Sequence, residues 1–368
     1  MMQKGFNKFF YPAVVLSFLG IMLLPLTDMI WHYVPESKNH EQRLLAPLPA
    51  LCKDSMSVLP KRFEAYFNDH FGYRHYLVQL SSAIKFYVFG ASPVPEKVAV
   101  GKRNWLFLSG RFYGITQDLS REHAYSDSSL NADVQLWINR KAELHNKGIR
   151  YYKAFWPDKY YIYPELLPFS MRLENASLAF RCDQALQYIN QHKSSINILD
   201  VRPLLMQKKH QYKIYHASDS HWNSLGAFYA YTALMQALSV DKPELKPIPS
   251  SSYTIKWQLK PPGDLATLIN VYEPEYEPQF NEQFKSTVSE LTADSCFPKK
   301  TRIFKNPHSQ TPLRVLIYRD SFTNALIPFL SQHFSEMVLI WDSPYSIEMV
   351  NKVNPDIVIE CYASRYFR

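Results

Sequence analysis

Glycine is scarce in this chain, with 10 residues in 368. Neither G-x-G-x-x-G nor G-x-x-x-x-G-K-[ST] occurs, so the usual nucleotide cradles lack their sequence signature. Cysteine is equally sparse, and the spacing of Cys52, Cys182, Cys296 and Cys361 matches no zinc motif. There is no internal repeat, no low-complexity tract and no block of five or six basic residues. The 41 Lys and Arg against 33 Asp and Glu leave a net charge of +8, a mild excess for this length. It reads as a solvated basic surface, and nucleic acid is not expected as a partner. The alternative is a groove for a polyanion, nucleic acid or acidic polysaccharide. At 46% hydrophobic and 20% charged residues, the composition excludes a disordered or collagen-like chain. The length suits two domains or one large one.

What the chain does have, at its start, is a long apolar run. Phe9–Thr27 holds nineteen residues without a charge. At about 1.5 Å rise each they cover about 28 Å, close to the roughly 30 Å hydrocarbon core. Lys4 and Lys8 precede the run and no basic cluster follows it, which keeps the N-terminus in the cytoplasm and sends the rest across. Tyr11 and Trp31 mark the two interfaces, and Pro12 and Pro25 kink the span without forbidding it. No A-x-A-like site follows, so an uncleaved signal anchor is favoured over a cleaved signal peptide. The expected organisation is a cytoplasmic tip and transmembrane helix over residues 1–32, a polar Pro-punctuated linker over 33–59, and one domain over 60–368. All four cysteines then lie in an oxidising compartment, where one or two disulfides can form with the pairing left open. Asn175-Ala-Ser177 is a formal glycosylation sequon.

Beyond the linker, apolar spacing predicts two helices from Pro60, broken at Phe71-Gly72. A strand pair turning at Gly101 follows, then a helix over 128–147. Short apolar strands are expected at 150–156, 196–201, 313–318, 337–341 and 356–360, with helices near 325–334 and 345–353. Strands alternating with helices imply an α/β fold with a mostly parallel sheet covered on both faces.

Two segments carry chemistry. In Asp219-Ser220-His221-Trp222, residues two apart on an extended stretch share a face. A carboxylate there accepts from imidazole Nδ1 and leaves Nε2 free as a base. In Tyr318-Arg319-Asp320-Ser321, the serine follows a strand and precedes a helix, at the sheet edge where open α/β folds bind ligands. Helix-start N–H groups there face a developing oxyanion, and His221 is the base such a serine requires. A metal site through His216, Asp219 and His221 (H-x-x-D-x-H) is the weaker alternative, and none is expected.

The order of several short segments resembles the AlgJ/AlgX-like family of polysaccharide O-acetyltransferases, which is SGNH-hydrolase-like and includes DHHW-type relatives. They are FEAYFNDHFGYR (63–74), GKRNWLF (101–107), PDKYYIYPELLP (157–168), SDSHWNSLGAFYAY (218–231), PGDLA (262–266), YRDSFTNALIPFLSQHF (318–334) and NPDIVIE (354–360). The resemblance implies an SGNH-hydrolase-like α/β/α sandwich after one transmembrane helix, with Asp219, His221 and Ser321 as acid, base and nucleophile. It also implies transfer of an acetyl group to hydroxyls of an exported, alginate-like polysaccharide. Trp222, Arg319, Asn324, Asp264 and Lys159 are the substrate-side or oxyanion candidates, and no cofactor is required. The implied partners are the polysaccharide acceptor and a multi-spanning membrane acyltransferase that supplies acetyl, at the periplasmic side of the inner membrane. An esterase with the same triad, and a non-catalytic anchored subunit, are the alternatives.

Overall fold

The computed structural model describes residues 2–31, 33, 44–50, 56–110, 115, 126–171, 181–192, 196, 198–341 and 343–366. Two compact units emerge: Met1–Pro93 with Thr267–Tyr272, and Val94–Ala266 with Glu273–Arg368. Most of the expected linker, Cys52 and the sequon at Asn175 lie outside the described residues.

In the first unit, the helix Met2–Trp31 is long and apolar enough over Tyr11–Met29 to cross a membrane. The helices Leu59–His70 and Arg74–Ala83 follow, grouped above with the downstream domain. They break at the expected dipeptide. Phe71 is extended and Tyr73 is left-handed, and a Cβ on Gly72 would meet the Pro25 carbonyl oxygen at 2.4 Å.

The second unit opens with β1 (Val98–Val100) and β2 (Leu106–Leu108), antiparallel across Gly101 as the sequence predicts. The other strands are β3 (Arg150–Trp156), β4 (Ile198–Asp200), β5 (Tyr253–Lys260), β6 (Glu275–Glu282), β7 (Ser289–Leu291), β8 (Arg302–Lys305), β9 (Arg314–Arg319), β10 (Glu336–Trp341) and β11 (Ile357–Ala363). Seven build one sheet in the order β4-β3-β11-β9-β10-β8-β7. β4, β3, β11, β9 and β10 run parallel, and β8 and β7 add antiparallel neighbours at the far edge. Val315, Leu316, Ile317 and Tyr318 of β9 are buried in succession, so both faces of the sheet are covered, as the unbroken apolar strands require.

One expected element is corrected. The helix near 325–334 is instead a 3-10 turn, Ser321–Leu326, and a single α-turn, Ile327–Leu330. Pro328 is tolerated only in the first turn of a helix, which forces a new start there. The antiparallel pair β5–β6, absent from the sequence reading, packs against the helix Ser224–Asp241, where Phe280 stacks on Phe228.

β11 lies between β3 and β9, so the carboxyl ends of β3, β9, β10 and β11 meet at one edge. Ser321 and Asp158 both sit just past that edge.

Among the described residues Cys182, Cys296 and Cys361 are free thiols. Cys182 and Cys361 pack as small buried apolar side chains, and burial pushes both thiols up to about 12.

Candidate active site

The D-x-H segment is a tight turn rather than a strand. His216 N–H donates to the His221 carbonyl (3.3 Å), and Tyr215 pairs with Trp222 across the loop. The carboxylate meets the ring because Asp219 Oδ1 accepts both the His221 N–H (3.0 Å) and Nδ1 (2.7 Å). One carboxylate thereby closes the turn and orients the imidazole. His221 Nε2 lies 2.7 Å from Ser321 Oγ. The two residues are a hundred positions apart, and the sheet edge brings them together. Burial alone would raise the Asp219 carboxyl, but the His221 hydrogen bond and charge, with the Lys260 ammonium 3.5 Å from Oδ2, hold it well below the usual carboxylate range.

The turn is held from two sides. Asp264 Oδ1 accepts from Ser220 N–H (2.7 Å), its Oδ2 accepts from Ser220 Oγ (2.5 Å), and it lies 3.7 Å from His221 Nδ1. Beside it a Cβ on Gly263 would meet Asp219 Cβ at 2.5 Å and the Ser218 carbonyl at 2.6 Å, so the P-G-D segment needs glycine for this close approach. From β6, Glu275 accepts from Ala217 N–H (2.8 Å), Ser218 N–H (2.5 Å) and Ser218 Oγ (2.5 Å), and pairs with Lys213. Glu277 takes Ser224 N–H (2.7 Å) and lies 2.7 Å from His216 Nε2. His216 thus faces β6, and the H-x-x-D-x-H ligand set does not assemble. Asp219, His221 and Asp264 do converge, but as links of the hydrogen-bonded turn.

Burial opposes the Glu275 charge, yet bonds from Lys213, Ser218 and the loop backbone win and hold its carboxyl down at about 2. A group depressed in the folded state contributes stability above its unfolded value and loses it as pH falls through the folded one. Glu275→Gln is therefore expected to cost about 1–3 kcal/mol at pH 7. That deficit relative to wild type should shrink between about pH 4.5 and 2. Denaturant titrations of both proteins across this range measure it.

Asp320 caps the Ser321 turn. Its Oδ1 accepts from Phe322 N–H (3.0 Å) and its Oδ2 from Ala363 N–H (2.5 Å). Burial pushes its carboxyl up to about 6, against those N–H bonds and the charge of Arg365.

Three of the sequence candidates are buried. Trp222 is 2% exposed, donates Nε1–H to the Phe322 carbonyl (3.1 Å) and packs edge-on against Trp156, so it anchors the loop. Arg319 is fully buried over the Trp341 ring at 4.4 Å, with Nη1 on the Asp320 carbonyl and Asn324 Oδ1. Lys159 is buried beneath the loop, and its ammonium donates to the carbonyls of His216 (2.9 Å), Ala217 (3.2 Å) and Asp219 (2.7 Å). Burial lowers it to about 7 despite nearby carboxylates. Asn324 is exposed with its Oδ1 held by Arg319, and Asp264 remains beside the histidine.

A cavity of about 540 Å³ opens beside Ser321, walled by Trp137, Trp341, Tyr345, Tyr362 and Tyr366. Arg140, Lys153 and Glu360 also line it. Glu360 is buried mid-strand in β11 and satisfied by Arg140 (2.8 and 3.1 Å), the Tyr151 hydroxyl (2.9 Å) and Lys153 (3.4 Å). Neither periodicity nor motif spacing singles out these residues. The only linear hint was a carboxylate inside the apolar run DIVIE.

No curated protein matches the chain by sequence. Among solved structures, Bacillus cereus PatB1 aligns at 17% identity over 73% of this chain and 95% of its own, with a TM-score of 0.52, a likeness of fold. The O-acetyltransferase domain of Pseudomonas putida AlgJ aligns at 17% identity over 73% of this chain and 91% of its own, with a TM-score of 0.46. Pseudomonas aeruginosa AlgX aligns at 18% identity over 74% of this chain and 63% of its own, with a TM-score of 0.48. Residues 98–343, which span the turn, the serine and most of the sheet, match the family described as SGNH hydrolase-like domain, acetyltransferase AlgX. The chain belongs to that family of O-acyltransferases.

Proposed function

We propose that this protein moves an acetyl group onto hydroxyls of an exported, acidic polysaccharide through a covalent intermediate on Ser321. The reading rests on the hydrogen-bond line from Asp219 through His221 to Ser321, 2.7 Å at each link, beside an open cavity. Ser321 Oγ attacks the acetyl carbonyl while His221 Nε2 takes its proton. His221 then gives that proton to the departing donor group as the carbonyl re-forms. In the second half an acceptor hydroxyl delivers its proton to His221 and attacks the acyl carbon. His221 then returns the proton to Ser321 Oγ. Asp219 holds the ring with Nε2 toward the serine, and its depressed carboxyl stays ionised beside the transient imidazolium. The backbone N–H of Ser321, at the start of a 3-10 turn, is the oxyanion donor of this scheme.

A polysaccharide acceptor, alginate-like in this reading, fits a cavity walled by aromatic rings, in which Arg140 and Lys153 are balanced by Glu360 and Asp320. The apolar helix over Tyr11–Met29, with Lys4 and Lys8 ahead of it, serves in this reading as an anchor that leaves the enzyme on the periplasmic side of the inner membrane. Acetyl then reaches it from a multi-spanning membrane acyltransferase.

The test supplies an aryl acetate as donor, with and without uronate or neutral oligosaccharides. Acetylated uronate product is expected from the wild type. Acetate released at the same rate with every acceptor, and no acetylated sugar, would make the protein an esterase. No acetate at all would leave a binding subunit.

A further inference from the structure

Beyond Ala363 the chain turns through a 3-10 segment, Ser364–Tyr366, that is clamped by a carboxylate just past the end of the neighbouring strand β3. Asp158, just after β3, accepts from Ser364 Oγ (2.9 Å), from Arg365 N–H (3.0 Å) and from Arg365 Nη1 (2.6 Å). Asp158 and Arg365 are 1% and 7% exposed, so this is a buried, multiply bonded ion pair whose geometry is strongly fixed. Asp320 adds the bond to Ala363 N–H and so joins the same segment to the serine turn.

The clamped guanidinium lies near two rings. Arg365 Cζ is 5.4 Å from the Phe322 ring centroid and 5.3 Å from that of Tyr366. Phe322 is the residue after Ser321. Tyr366 lines the cavity with Ser321 and is 46% exposed. The position of an exposed ring at the cavity is therefore referred, through one buried cation, to the residue beside the nucleophile.

The geometry points to Tyr366 as the acceptor-side platform of the cavity, a ring against which a pyranose of the incoming polymer stacks, and to Arg365 as the positioning residue that sets it relative to Ser321. This rests on acyl transfer through Ser321. The axial C–H face of a pyranose suits the electron-rich face of an aromatic ring, and a ring held at fixed distance from the acyl-serine places the acceptor hydroxyl for attack.

The full chain in detergent, given an aryl acetate and a series of uronate oligosaccharides, reads out acceptor KM and the ratio of transfer to hydrolysis. Tyr366→Ala is expected to raise acceptor KM roughly 3- to 10-fold and to lower the ratio in step. Tyr366→Phe should behave as wild type, because the ring face carries the contact. Arg365→Lys keeps the charge beside Asp158 but loses the plane between the rings, and should shift both quantities in the direction of Tyr366→Ala. The inference is overturned if Tyr366→Ala stays within twofold of wild type in acceptor KM, if Tyr366→Phe is as impaired as Tyr366→Ala, or if transfer and hydrolysis fall together. A Ser321→Ala protein that still turns over the ester is a separate result, which removes the acyl-serine itself.

Discussion

Ser321→Ala is expected to abolish ester turnover, with a loss on the order of 10⁴- to 10⁶-fold in kcat. Alanine leaves His221 Nε2 without the hydroxyl it now meets at 2.7 Å and removes the atom that would carry the acyl group. The fold should not suffer. Ser321 is half-buried at the start of a 3-10 turn whose cap is the Asp320 side chain. An unchanged circular-dichroism melt beside a lost rate therefore assigns the loss to chemistry. Mass spectrometry after brief exposure to an aryl acetate should find one added acetyl in the wild type and none in the variant. Turnover within tenfold of wild type would sink the covalent reading.

Asp219→Asn should come next, with a fall of about 10³- to 10⁴-fold at neutral pH. With its oxygen in the place of Oδ1, the nearly isosteric amide keeps both bonds from His221. Its NH₂ group, however, can donate to His221 Nδ1 and so favour the tautomer with the proton on Nε2. A protonated Nε2 cannot accept from Ser321. Binding should be little affected, because Asp219 faces the turn, Lys260 and Gly263 and does not line the cavity. Steady-state kinetics with an aryl ester should show kcat reduced with KM within about threefold. A fall confined to KM would mean that Asp219 holds substrate and leaves the histidine unoriented.

The turn and the serine were legible because each signal is local. The carboxylate and the ring are two positions apart, and one apolar strand followed by D-S marks the sheet edge. Even so, the proximity of Asp219 and His221 follows from a closed turn and not from an extended stretch. The segments PGDLA and PDK were visible as candidates, yet their roles were not. Gly263 and Asp264 brace the turn, and Lys159 lies beneath it with its donors spent on backbone carbonyls. Trp222 stands next to the histidine in the sequence, yet its burial in the core beside Trp156 could not be read there.

The sequence by itself determined the elements whose causes are local. These are the charge-free N-terminal run, the unbroken apolar strands of a sheet covered on both faces, the break at Phe71-Gly72, and the identity of the acid, base and nucleophile candidates. Tertiary structure decided whatever depends on distant segments meeting. Glu275 and Glu277 reach the turn from β6 some fifty to sixty residues away. Glu360 finds Arg140 across 220 positions, and Arg365 finds Asp158 across 207. No periodicity records such pairs. A buried charge looks in sequence like any other charge, and only packing decides whether a tryptophan or an arginine faces solvent, a ligand or the core.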